Sequence, residues 1–198
     1  MKKSILIPVL AIILCAVVLL AANVFLGAVY RINWQSQHVL DMTTILPGSE
    51  NFVREPYSGE DANIVSVHKG ETGYVIETCT YGYAGNITVL VGVSNEGKVT
   101  GLVVRDLSET LGLGANALSD ADFLAQFLNT EGNVAIGAPG ADAFSGATGE
   151  SETTGEETYV DAITGATVTS KAIARCVNSA VAYVTGADVT SSATSWGG

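Results

Sequence analysis

Tyr74-Val-Ile-Glu-Thr-Cys-Thr-Tyr81, Gly82-Tyr-Ala-Gly85 and Ile87-Thr-Val-Leu-Val-Gly-Val-Ser94 read as two strands joined by a glycine-rich break. Both runs are dense in β-branched and aromatic residues, which suit a pleated, half-buried surface. Asn95-Glu-Gly97 is a turn signal, and Val99 to Arg105 supplies a third strand. Together these predict an antiparallel meander.

Toward the C-terminus, Asp106-Leu-Ser-Glu-Thr-Leu-Gly-Leu-Gly-Ala-Asn-Ala117 has little periodicity and reads as a loop at a strand end. Ser119-Asp-Ala-Asp122 fits a capping box before a helix around Phe123 to Leu128. Residues 137–157 are mostly Gly, Ala, Ser, Thr and Glu and are expected to form a flexible insertion, with the acids at 150–157 a solvated run. The spacing of Ile173, Val177, Ala180, Val181 and Val184 predicts a helix over Thr169 to Val184, with Thr169 or Ser170 as N-cap. Residues 186–198 are expected to be a disordered tail.

Toward the N-terminus, a polar helix over residues 31–50 should end at Leu46-Pro47-Gly48. Before it, Ile5 to Ala22 carries no charge, and the apolar run continues from Val24 to Tyr30. This exceeds the roughly 20 residues a helix needs to cross a bilayer. A signal-peptide core is usually about 7–15 residues, so an uncleaved anchor fits better. Tyr30 and Trp34 fall where interfacial aromatics are expected, and Lys2 and Lys3 place the N-terminus in the cytoplasm. Trp196 reads as a tail residue.

All twenty acidic residues lie beyond Arg31, against only six of the nine basic ones, a balance of about −14. Such a surface repels polyanions, so nucleic acid is excluded as a partner. Cys15 lies in the apolar run, and Cys79 and Cys176 are far apart. The absence of CxxC or a Cys/His cluster argues against zinc or protein-ligated iron–sulfur centres, and no metal site is expected. Cys79 and Cys176 could pair in an oxidising compartment, or be two small buried residues. His38 and His68 are isolated, are expected to be exposed, and have no Ser or Cys partner at a recognisable spacing, which argues against a hydrolase triad.

The segment Asp161-Ala-Ile-Thr-Gly-Ala-Thr-Val-Thr-Ser170 carries the chemistry. Gly165 permits a tight turn with positive φ. Thr167 offers a hydroxyl within about three residues of a helix start, where free N–H groups suit a phosphate. Gly plus Thr before a helix is also ordinary capping.

This segment resembles the flavinylation motif Asp-x-x-(Ser/Thr)-Gly-Ala-Thr-x-Thr-Ser of the FMN-binding domain found in the G subunit of Rnf complexes and the C subunit of sodium-pumping NADH:quinone reductase. Leu107-Ser-Glu-Thr-Leu-Gly-Leu-Gly114 resembles that family's Ser-Glu-Thr-Pro-Gly-Leu-Gly loop, with Leu111 in place of the usual Pro. Gly82-Tyr-Ala-Gly85 resembles its glycine-rich strand entry. The resemblance implies FMN held covalently on Thr167, donated from FAD by a flavin transferase. Asp161, Thr164, Gly165, Ala166, Thr169 and Ser170 would recognise or position it, with Glu109, Thr110, Gly112 and Leu113 near the flavin ring.

The fold expected from the residues and the resemblance together is α+β: an N-terminal transmembrane helix plus one FMN-binding domain with an antiparallel sheet and flanking helices. The divisions are an anchor at 1–31, a stalk or linker helix at 32–62, the extracytoplasmic domain at 63–185 and a tail at 186–198. The implied function is electron transfer, without independent catalysis, within an Rnf-type ferredoxin:NAD+ oxidoreductase coupled to Na+ or H+ translocation. Partners would be the other membrane subunits, the transferase and the membrane. A stand-alone flavin shuttle and a non-redox, surface-anchored binding module are the alternatives. Asp142-Ala-Phe-Ser-Gly-Ala-Thr148 repeats the core of the motif, and makes Thr148 a rival acceptor.

Overall fold

The computed structural model describes residues 2–107, 120–137 and 158–186. Two compact units divide at Leu40 and Asp41. The first is helical throughout its described length. Helix α1 runs Lys2–Ile45, and the side chains described within it cover 13–27 and 38–45. In 13–27 large apolar residues face outward, including Leu20 at 68% and Phe25 at 69% exposure. Among the described residues no helix is long and apolar enough to cross a membrane.

The second unit is built on a five-stranded antiparallel sheet in the order β1 (Val53–Glu55), β2 (Ile64–Lys69), β3 (Gly73–Tyr81), β4 (Asn86–Ser94) and β5 (Val99–Leu107). The expected meander is present as β3 to β5, and β1 and β2 extend it at one edge. Sequence reading missed both. β2 is interrupted by a register shift between Ile64 and Ser66, which breaks its alternation, and β1 is only three residues long. Two further short strands, β6 (Val134–Ile136) and β7 (Thr158–Val160), pair in parallel. Helix α2 covers Ala121–Ala125 and α3 covers Thr167–Thr185.

One sheet face carries the main core. Val67, Ile76, Ile87, Val89, Val91 and Val93 pack with Ile173, Cys176, Val177, Ala180 and Val181 of α3, all at 2% exposure or less. Burying an aliphatic side chain of this kind contributes about 1.5–3 kcal/mol. The other face is covered by the last turn of α1 and the residue after it: Met42, Ile45 and Leu46 pack on Val75 and Leu90. This turn is fixed by polar contacts. The Thr100 hydroxyl donates to the Ile45 carbonyl at 2.6 Å, and Arg105 Nη1 meets Asp41 Oδ2 at 2.9 Å. Of the segment 32–62 expected to be a stalk or linker helix, then, the helix ends at Ile45, residues 42–46 lie on the sheet, and Val53–Glu55 are strand.

Two local expectations are corrected. The N-cap of α2 is Asp120, whose carboxylate accepts the Asp122 and Phe123 N–H groups, so the helix begins earlier than expected. Helix α3 begins at Thr167, two residues ahead of the sequence reading. Thr169 and Ser170 are inside it, at 1% and 0% exposure, and neither is its cap. The two histidines also differ from expectation, since His38 is buried and His68 half-buried. The insertion (beyond Gly137) and the tail (beyond Gly186) lie outside the described residues.

Candidate functional site: the start of helix α3

Strand β7 delivers the chain to the site. Its pairing with β6 is continued by Gly137 N–H donating to the Val160 carbonyl at 2.9 Å. The exposed Asp161 follows, its N–H held by Gln126 Oε1 at 2.9 Å. Residues 163–166 then form a turn closed by Ala166 N–H to the Ile163 carbonyl at 2.9 Å. Gly165, third in the turn, has φ +81°, the left-handed value a type II turn needs there. The permissive glycine expected from sequence is therefore a structural requirement.

The turn is held from within the helix. Ser170 Oγ accepts the Ile163 N–H at 3.3 Å and donates to the Ala166 carbonyl at 3.0 Å. The Ser170 N–H also reaches that carbonyl, at 2.9 Å, as the first bond of α3. The N-cap is Ala166, whose side chain cannot cap. The first-turn amides of Thr167, Val168 and Thr169 accordingly have no acceptor among the described residues. An uncapped helix start is an electropositive, hydrogen-bond-donating surface. Thr167 and Val168 are exposed there. Thr169 Oγ1 is buried without a hydrogen-bond partner. Lys171 and Arg175, both half-buried, follow Thr167 at helical i+4 and i+8 spacing. Long helical side chains lean toward the N-terminus, so the spacing of Lys171 adds positive charge toward Thr167 in an otherwise acidic domain, whereas Arg175 lies about 12 Å along the helix axis from it.

The rest of this end of the domain is set by sheet topology. The Thr80 hydroxyl donates to the Ala172 carbonyl at 3.1 Å, which ties the end of β3 to the second turn of α3. The β3–β4 hairpin continues past that point and closes with Gly82 N–H to the Gly85 carbonyl at 2.8 Å. Tyr81 and Tyr83 on this tip are 64% and 72% exposed. Strand β5 ends with Leu107 opposite Ile87, so the chain leaves the sheet at the same end. The loop residues Glu109, Thr110, Gly112 and Leu113 lie outside the described residues, as does Thr148. Sequence reading identified the 161–170 segment but missed the Ser170 bridge, because a serine inside a helix carries no signal of what its hydroxyl will reach.

The two domain cysteines lie on opposite sides of β3. Cys176 faces Thr80, with Sγ 3.3 Å from its Oγ1, while Cys79 alternates to the other sheet face. Both are free thiols, and burial pushes the Cys176 thiol up from its ordinary value. Among the described residues no group of His, Cys, Asp and Glu could hold a metal ion.

These elements make an α+β domain whose principal helix presents an exposed threonine at an uncapped, anion-receptive start. The chain belongs to the FMN-binding domain family, whose pattern matches residues 82–182, from the hairpin tip through α3. It is 35% identical over 155 residues to the G subunit of the ion-translocating oxidoreductase complex of Methanosarcina acetivorans, covering 72% of each chain. It is 38% identical over 112 residues to the G subunit of the proton-translocating ferredoxin:NAD(+) oxidoreductase complex of Clostridium ljungdahlii, covering 57% of this chain and 53% of that one. With the Na(+)-translocating counterpart from Acetobacterium woodii it shares 34% identity over 117 residues, 55% of this chain and 47% of the relative. The match thus spans about half the length of two of these three relatives. The solved C subunit of the Na(+)-translocating NADH-quinone reductase from Parabacteroides distasonis aligns with TM-score 0.45 and 24% identity, over 64% of this chain and 63% of that one.

Proposed function

We propose that this chain is a covalent flavoprotein that carries FMN on Thr167 and passes electrons within a membrane-bound, ion-translocating ferredoxin:NAD+ oxidoreductase. The observation that carries the reading is the exposed Thr167 on the first turn of an uncapped helix, behind the Gly165 turn, in a chain of the FMN-binding family. The residues present fit a phosphate-linked group: three first-turn amides without acceptors, the Thr167 hydroxyl, the buried unpartnered Thr169 Oγ1, and the positive charge of Lys171 one turn on. Bound FMN supplies one- and two-electron transfer at its ring; the protein holds, orients and tunes it. Loading from FAD on a flavin transferase would join the Thr167 oxygen to the FMN phosphorus, with one Thr O–P bond formed, the pyrophosphate P–O bond broken, AMP released and the hydroxyl proton lost.

Thr167 is favoured over Thr148 by what must be buried beside it. In the motif register, Thr169 corresponds to Glu150 of the second copy. Thr169 is 1% exposed. A carboxylate at such a position would lose several kcal/mol of solvation, so the 142–151 copy cannot dock in the same way at comparable cost.

The exposed apolar side chains of α1 between 13 and 27, together with the uncharged run from Ile5, support a single membrane anchor with the N-terminus cytoplasmic and the acidic domain outside. The partners are the other membrane subunits of the complex and the transferase. Intact mass and in-gel flavin fluorescence of the full chain, co-expressed with the transferase, test the acceptor. The wild type should gain one FMN, Thr167→Ala none, and Thr148→Ala one. FMN retained in Thr167→Ala would place the link elsewhere. Co-purification with multi-span subunits supports membership of the complex, and recovery of a loaded chain alone supports a stand-alone shuttle.

A further inference from the structure

We infer that Ser170 is the positioning residue that preforms the acceptor turn, so that flavinylation acts on a folded, clamped loop. This deepens the reading above and rests on Thr167 being the acceptor. The Ser170 side chain is fully buried, and its hydroxyl uses its one donor and one acceptor lone pair across the turn. It accepts from Ile163 on the entry side and donates to Ala166 on the exit side. Those two residues are also the ends of the 163–166 turn bond. Three hydrogen bonds thus lock four residues around Gly165, and Thr167 is the next residue out.

The hydroxyl is therefore not a ligand for a phosphate. It acts through the backbone, fixing the direction in which the Thr167 Cα–Cβ bond leaves the helix. Without it the Ala166 carbonyl keeps the Ser170 N–H, so the helix still begins there, but the Ile163 N–H loses its acceptor. The turn is then free to open on the entry side. A nucleophile that must reach a phosphorus atom held on another protein is sensitive to such displacement, because reaction depends on near-attack geometry.

The test compares Ser170→Ala with Thr78→Val in the full-length chain. Thr78 is also fully buried, and its hydroxyl donates to the Val89 carbonyl at 3.2 Å within the sheet. Each variant removes one buried hydroxyl, but only one of them touches the turn. Flavinylation rate with purified transferase and FAD, melting temperature, and amide exchange at Ile163 are measured on both. Ser170→Ala should be flavinylated about ten- to a hundredfold more slowly, with faster exchange at Ile163. Thr78→Val should keep the wild-type rate and Ile163 protection at a similarly lowered melting temperature. A wild-type rate in Ser170→Ala, or equal slowing in both variants, overturns the inference. Thr167→Ala run alongside separates this from the acceptor reading: FMN retained in that variant overturns both, whereas its loss with an unaffected Ser170→Ala overturns only the clamp.

Discussion

Gly165 shows what a single backbone conformation contributes to the site. Its φ of +81° lets the four-residue turn 163–166 redirect the chain leaving β7 into α3. Any side chain there adds steric strain of about 1–2 kcal/mol. Gly165→Ala should therefore lower urea-unfolding stability by about that amount, and flavinylation should fall more than the stability loss alone explains. An unchanged flavinylation rate would mean that the turn geometry is not limiting. A second residue effect lies at the opposite end of the sheet. The Glu71 carboxylate accepts the Glu50 and Asn51 N–H groups and the Asn51 side-chain amide. The Asn51 side-chain bond, first, and then backbone N–H groups hold its pKa below the ordinary 4.5. A lowered folded pKa gives stability that is present above the unfolded value and is lost as pH falls through the folded one. Glu71→Gln should thus flatten the acid limb of the stability curve below about pH 4.5, read from urea midpoints across pH.

At the scale of elements, the sheet works because its two faces are built differently. The α3 face is aliphatic, and the helix matches it by the 3.6-residue period of Ile173, Val177, Ala180 and Val181. The α1 face is instead floored with glycine. Gly92 and Gly101 are register partners on β4 and β5, and Ile45 lies directly over them. A Cβ on Gly101 would sit 2.9 Å from the Ile45 Cα, and one on Gly92 would sit 2.5 Å from the Ile45 carbonyl oxygen. Because the clashing atoms are backbone, they cannot rotate away. Gly101→Ala should destabilise the domain by about 1–3 kcal/mol in urea and displace the Thr100 to Ile45 hydrogen bond. Stability within error of wild type would show that the end of α1 can move without cost. The 3.6-residue period of α3 is plain in the sequence. The glycine floor is not, because Gly92 and Gly101 look like weak points in good strands until the neighbouring element is known.

For the whole molecule, the acidic balance is the dominant long-range term. Beyond Arg31 the chain carries about −14, with only six positive residues, including Lys171 and Arg175 one and two turns beyond Thr167. Self-repulsion of this size is screened within about 10 Å at 0.1 M salt. The melting temperature should therefore rise as ionic strength increases from about 0.01 to 0.15 M. A flat or falling response in scanning calorimetry would mean that local pairs, such as Arg105 with Asp41, outweigh the net field.

Features local in the chain are legible in the residues alone: the meander from Tyr74 to Arg105, the periodic helix around Val177, and the Thr-Gly-Ala-Thr segment with its glycine turn. Each rests on side-chain chemistry repeated at the spacing of one element. Features that depend on distant partners emerge only in the folded chain. Strands β1, β6 and β7 are three residues each, too short for a period, and exist through pairing across the fold. Thr169 and Ser170 looked like caps because their chemistry suits one, but α3 starts earlier and packing on the sheet draws both inside. Burial leaves Thr169 Oγ1 without a partner and turns the Ser170 hydroxyl into the bridge behind Thr167.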